Sequence, residues 1–231
     1  DRSVSRGLGD VYKRQVWYCI KTTLRLEETA RCVARLKQKM KTKEKQMKKA
    51  RVIVVSGVTA SGKTTFIQKV ANLCPGTAVL SFDDYSIDAL PSAPSSEALL
   101  NEPYEAINQF DIQPLINDLK QIIHNCALIL IDFPFGYVHQ QLAPAIDKAI
   151  YLRTPLDIVL GRLIIRDFQQ QPEKIINWVT GYLEEARPLF LMHEEIVSPQ
   201  ADYIRDGTID FQDQMTWFKE EVLAEKTIFA E

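Results

Sequence analysis

The chain has 231 residues, 46% of them hydrophobic and 25% charged, with a formal net charge of −2. That length suits one domain with a buried core plus an extension, and no apolar run approaches the ~20 residues of a membrane-spanning helix. The charge is unevenly spread: residues 1–46 carry 13 Lys and Arg against 5 Asp and Glu, and residues 47–231 carry 15 against 25. The larger part is therefore acidic and makes a poor nucleic-acid surface.

Residues 1–15 have no helical or strand period and resemble a translated sequencing adapter. Residues 24–49 are rich in Lys, Arg, Glu and Gln. We expect residues 1–46 to be a non-native or disordered N-terminal extension. Met47 is a natural start, Met40 an equally legal one, and residues 47–231 form the working domain. The alternatives are a basic arm, or a targeting presequence interrupted by Glu27, Glu28 and Glu44. Cys19, Cys32, Cys74 and Cys126 show no Cys-x-x-Cys spacing and read as reduced thiols. With no secretory h-region in view, the expected setting is the cytoplasm.

The apolar, β-branched run at 52–56 predicts a strand. It leads into Gly57-Val58-Thr59-Ala60-Ser61-Gly62-Lys63-Thr64, followed by Thr65 and a helical pattern over 64–73. Strand, Gly-x-x-x-x-Gly-Lys-Thr loop and helix come in the order of a phosphate-binding loop. Glycines let successive backbone N–H groups turn inward around phosphate oxygens. Lys63 reaches the β- and γ-phosphates, Thr64 offers a hydroxyl to Mg²⁺, and the helix aims its positive end at the same anion.

Further strands are predicted at 78–82, 127–131, 148–152 and 203–205. Further helices are predicted at 112–124, 156–168, 173–195 and 212–225. Alternating β and α with near-continuous apolar strands implies a parallel sheet buried on both faces. Residues 86–110, with Pro91, Pro94 and Pro103, read as a long irregular connection of the kind that serves as a lid or binding loop.

Ligands of such sheets lie at the carboxyl ends of the strands. That rule selects Asp83-Asp84-Tyr85 after the second strand and Asp132 after the third. One aspartate of the pair can accept the proton of a hydroxyl nucleophile; a turn pair is the plain alternative. Asp132 can hold Mg²⁺ directly or through water. Arg162 and Arg166 stand i, i+4 on one helical face. They can close over a transferring phosphoryl group, or form a solvated helix face instead. His124, His139 and His193 show no metal spacing, and Phe110, Tyr137 and Trp178 read as core or rim.

Together these residues resemble the uridine kinase family, including its nicotinamide riboside kinase relatives. Residues 55–65 are similar to that family's phosphate loop. Leu80-Ser-Phe-Asp-Asp-Tyr85 resembles its second-strand motif, which makes Asp83 the catalytic base and Asp84 its neighbour. Arg162-Leu-Ile-Ile-Arg-Asp167 resembles the lid helix, and Ala201-Asp-Tyr-Ile-Arg-Asp-Gly207 the last strand. The chain departs from the pattern in three places. Asp132-Phe133 stands for Glu-Gly, and Gly161 for a further lid arginine. The ribose-binding Phe-Asp-x-Pro is matched in part by Leu100-Asn101-Glu102-Pro103 and in part by Gln109-Phe110-Asp111. With Asn101 in that place, a charged acceptor for ribose hydroxyls is lost.

The expected fold is a three-layer α/β P-loop NTPase of the nucleotide-kinase type with a five-stranded parallel sheet. The expected activity is ATP- and Mg²⁺-dependent transfer to a hydroxyl of a small molecule, a nucleoside-like ribose first. Gly57, Thr59, Ala60, Ser61, Gly62, Lys63, Thr64 and Thr65 bind the nucleotide. Lys63, Asp83, Arg162 and Arg166 do the chemistry, Thr64 and Asp132 hold the metal, and Asp84, Tyr85, Asn101 and Asp111 are candidates for the acceptor. The alternatives are a kinase of a pantothenate- or sugar-like alcohol and a regulatory NTPase. No nucleic-acid or membrane partner is expected, and a homo-oligomer is compatible with the sequence.

Overall fold

The computed structural model describes residues 49–224; the expected extension at 1–46 lies outside them. Five strands form one parallel sheet in the order β2-β3-β1-β4-β5: β1 Arg51–Ser56, β2 Thr77–Ser81, β3 Leu128–Asp132, β4 Lys148–Arg153 and β5 Tyr203–Asp206. All five expected strands are present to within a residue at either end. β1 is central and wholly buried, which is why it reads as an unbroken Val/Ile run rather than an alternating one.

The period of two along each strand sorts the core into two faces. Val52, Val54, Ile129, Ile131 and Tyr151 point one way. Ile53, Val55, Leu128, Leu130, Ile150 and Leu152 point the other. The second face is covered by α1 (Lys63–Leu73), through Phe66, Ile67 and Val70. Met215, Phe218 and Val222 of the C-terminal helical segment cover it too; its first turns are α8 (Phe211–Trp217). The first face is covered by Leu115 and Leu119 of α4 (Gln113–Ile122) and by Val197 of α7 (Arg187–Val197). Helix layers on both sides of a parallel sheet make the three-layer α/β fold of P-loop proteins.

The connection at 86–110 is more ordered than the sequence implied. It contains α2 (Ser96–Asn101), whose N-cap Ser95 accepts a hydrogen bond from the Ala98 amide, and α3 (Pro103–Ile107), opened by Pro103. Both are too short to show an apolar period, and their signals are those of caps. The expected single helix at 173–195 is divided. A 3₁₀ turn at Pro172–Lys174 leads into α6 (Ile175–Gly181), a π-type turn over Tyr182–Ala186, and α7. Pro188 lacks the N–H that would close an i→i−4 bond to Glu184, so the helix widens just before it.

A smaller cluster ties α5 (Leu156–Phe168) to this region. Val159 and Leu163 of α5 pack with Tyr182 and with Val58 of the phosphate loop. The apolar face of α5 therefore rests on the loop itself, and its arginines project from the same helix.

Candidate active site

The Gly57–Thr64 loop leaves the carboxyl end of β1 in a shape that its glycines make accessible. At Gly57 the φ is +145°, and a Cβ there would lie 2.7 Å from the Leu152 carbonyl oxygen and 2.7 Å from Ser61 Oγ. Ala60 and Gly62 follow at φ 60° and 104°. For Ala60 this left-handed conformation costs on the order of 1 kcal/mol. Such turns bring successive amides to one side as an anion nest. α1 begins at once after Gly62 with no side-chain cap, which leaves its first amides open toward the nest.

Thr64 is turned to the third strand, where its Oγ1 donates to Asp132 Oδ2 at 2.7 Å. Lys63 Nζ donates to the Val58 carbonyl at 3.1 Å. Burial lowers the Lys63 pKa, and the Asp132 and Asp83 carboxylates pull it back up. Asp132 responds in the opposite sense. Burial raises its pKa, the Lys63 charge and the Thr64 hydroxyl lower it, and Asp83 and Asp84 raise it further. One ammonium and three carboxylates thus share one field at the ends of β1, β2 and β3. Asp83 and Asp84 are exposed on the 3₁₀ turn Phe82–Tyr85. Below them the Phe82 ring meets Phe110, Phe133 and Phe135 edge-on at 5.6–6.1 Å, so the turn stands on a packed aromatic floor.

Oxygen donors of this kind suit Mg²⁺, which takes one or two protein carboxylates and keeps phosphate oxygens and waters for the rest. Thr64 and Asp132 supply one hydroxyl and one carboxylate within hydrogen-bond distance of each other. Among the described residues no group of three or more His, Cys, Asp or Glu forms a closed metal cage.

The two arginines of α5 are held differently. Arg162 donates from Nη1 to the carbonyls of Ala60 and Ser61, both at 3.2 Å, and from Nη2 to the Gly207 carbonyl at 3.1 Å. It braces the phosphate loop against the segment after β5. Arg166 is exposed and bonded in bidentate fashion to its neighbour Asp167, at 2.6 and 3.0 Å. Asp167 raises its pKa, and Asp83 is close enough to add to that.

Both arginines line a cavity of ≈ 740 Å³ that runs from Ser61–Thr65 to the segment after β5. That far wall was not found by sequence reasoning. It includes Gly207, Thr208, Phe211 and Gln214, with Lys69 of α1 opposite. Lys69 Nζ stands 4.6 Å from the Phe211 ring centroid, a cation–π distance. Gln214 Nε2 donates to the carbonyls of Asp206 and Ile209 at 3.2 and 3.1 Å, holding the turn between them. A Cβ on Gly207 would sit 2.6 Å from the Ser61 carbonyl oxygen and would run into the Thr154 hydroxyl. Only glycine lets this turn approach the loop so closely, and that was the one available sequence signal.

The acceptor candidates do not line this cavity. Tyr85 donates its hydroxyl to Asp118 of α4 at 3.0 Å, and burial, then Asp118, pushes its pKa up to about 12. Asp111 accepts from the Gln113 amide at 3.0 Å, a local turn just ahead of α4, whose N-cap is Ile112. Asn101 is the exposed last residue of α2.

No family model matches the chain. Curated relatives include the uridine kinase of Chlamydia pneumoniae, 24% identical over 178 residues, with 66% of this chain and 78% of the relative covered. The uridine kinase of Psychromonas ingrahamii is 26% identical over 183 residues, covering 66% and 85%. Among solved structures the chain is similar to the thymidylate kinase of Candida albicans, with a TM-score of 0.48 and 15% identity over 77% of this chain and 93% of that one. The sheet order and the loop leaving β1 give a P-loop fold, and the relatives that the chain is similar to in sequence are kinases. Within that class the sequence likeness is to uridine kinases, as the motifs led us to expect.

Proposed function

We propose that the protein transfers the γ-phosphoryl group of ATP to a hydroxyl of a small molecule, with a nucleoside-like ribose as the acceptor. The observation that carries this reading is the field shared by Lys63, Asp83 and Asp132 at the mouth of the phosphate loop, with Arg166 in range of Asp83. A phosphate-binding lysine, a carboxylate for metal and an exposed carboxylate for the nucleophile are the parts phosphoryl transfer needs.

The amides of Gly57 to Thr65, Thr59 among them, and the Lys63 ammonium bind the phosphates. Thr64 and Asp132 would hold Mg²⁺, which when bound neutralises charge on the β- and γ-phosphate oxygens. Asp83 orients the acceptor hydroxyl and takes its proton as the new O–P bond forms and the bond from the γ-phosphorus to the bridging oxygen breaks, leaving ADP. Arg166 lies exposed on the lid helix and compensates charge on the moving phosphoryl group. Arg162 keeps the loop in shape. Residues 47–231 are the part to which we assign this activity.

The test is ADP release with and without a panel of nucleosides, pantothenate-like and sugar-like alcohols. The wider panel matters because Asp111 already accepts from the Gln113 amide and Asn101 carries no charge. Release that depends on one acceptor class supports a kinase. Release at the same rate with every acceptor and with none contradicts it and points to an NTPase.

A further inference from the structure

His193 is buried in α7, outside every motif of the site, and both of its ring nitrogens are used. Nε2 is 2.9 Å from the Pro134 carbonyl oxygen, and Nδ1 is 3.2 Å from the Tyr151 hydroxyl. A carbonyl can only accept, so Nε2 carries the proton; Nδ1 then accepts from the Tyr151 hydroxyl. Burial foremost, with the nearby Lys63 charge, lowers the His193 pKa to about 4, which keeps the ring in this neutral form at ordinary pH.

The Pro134 carbonyl belongs to the segment by which the chain leaves Asp132. That exit is anchored at consecutive points. The Phe133 amide donates to the Val55 carbonyl at 3.2 Å, Ser56 Oγ donates to the Phe133 carbonyl at 2.9 Å, and His193 holds the Pro134 carbonyl. Gly136, at φ 51°, turns the chain back so closely that a Cβ would lie 3.1 Å from Ser56 Oγ. The first two anchors come from β1. The third is the one that comes from α7, and it reaches back to β4 through Tyr151.

We infer that His193 is a positioning residue for Asp132: its Nε2–H bond to Pro134 sets where the β3 exit places the carboxylate opposite Thr64, and hence how well the pair holds Mg²⁺ with nucleotide. This rests on the proposed role of Asp132. Outer partners that orient a metal ligand typically contribute about 10–100-fold in metal affinity. His193 acts one step further out, through backbone, so a shift of about 3–10-fold is expected.

The test uses two variants that separate the ring's two bonds. In His193→Gln the side-chain amide can reach the Nε2 position and keep the Pro134 bond. In His193→Asn it reaches only the Nδ1 position, toward Tyr151. A fluorescent adenine nucleotide is titrated in EDTA and across a Mg²⁺ series, with thermal melting alongside. The expected result is a Mg²⁺ midpoint about 3–10-fold higher for His193→Asn, with its affinity in EDTA unchanged and His193→Gln close to wild type. Midpoints equal to wild type in both variants overturn the inference. So does an equal loss of affinity in EDTA and in Mg²⁺, which marks a merely structural role. A wild-type protein whose nucleotide binding ignores Mg²⁺ overturns the metal reading of Asp132 and this inference with it.

Discussion

Thr64 Oγ1 donates to Asp132 Oδ2 across 2.7 Å, joining the first residues of α1 to the end of β3. The carboxylate is buried, and its charge is balanced by Lys63. Asp132→Asn removes that charge and keeps the shape. It should raise the Mg²⁺ needed for nucleotide binding by about tenfold or more, while affinity in EDTA holds or improves because a negative charge has left the phosphate site. Titration of nucleotide against Mg²⁺ reads this directly. An unchanged Mg²⁺ midpoint would remove Asp132 from the metal site.

Arg162 and Arg166 should differ in kind. Arg162→Ala removes the guanidinium bonds to the Ala60 and Gly207 carbonyls and one of two to the Ser61 carbonyl, which keeps Thr154 Oγ1, at a cost of about 1–3 kcal/mol, and loosens the phosphate loop. The melting temperature should fall by several degrees, and nucleotide affinity should fall too. Arg166→Ala removes an exposed side chain and should leave melting within ~0.5 kcal/mol of wild type. Turnover should drop by about 10²-fold or more, as for other donors aimed at transition-state charge. Melting curves and kcat on the two variants decide; the opposite pattern would return Arg162 to the chemistry.

His193 makes stability depend on pH. Its folded pKa of about 4 lies below the ordinary 6.5, so between those values the unfolded chain binds the extra proton. Its contribution is complete above pH 6.5 and is lost as pH falls toward 4. Linkage sets the loss between pH 7 and pH 5 at about 2 kcal/mol. His139, also lowered by burial, adds loss of the same sign. Urea unfolding at the two pH values should therefore show a smaller drop for His193→Gln than for wild type. Equal drops would mean that His193 titrates normally in the folded protein.

The sheet was legible in the sequence because a parallel strand buried on both faces leaves an unbroken apolar run, as at Val52 to Val55. The phosphate loop was legible because its spacing is tied to backbone geometry. What was missed depends on contacts between distant segments. The i, i+4 spacing put Arg162 and Arg166 on one face, but nothing local says that one docks on carbonyls at Ala60, Ser61 and Gly207. His193 meets Pro134 across 59 residues of chain. The cavity wall at Thr208 to Phe211 lies just beyond the motif of the last strand, which ended at Gly207.

The central claim is that Asp83 takes the acceptor's proton, and Asp83→Asn compared with Asp84→Asn tests it most directly. The amide keeps size and part of the hydrogen bonding but cannot accept the proton. General-base assistance is worth about 10²–10⁴-fold, so kcat for acceptor-dependent ADP release should fall by that much in Asp83→Asn with nucleotide affinity nearly unchanged. Asp84→Asn should lose far less. Equal small losses would leave the pair as a turn and contradict the kinase chemistry assigned here, and a large loss at Asp84 alone would move the base by one residue.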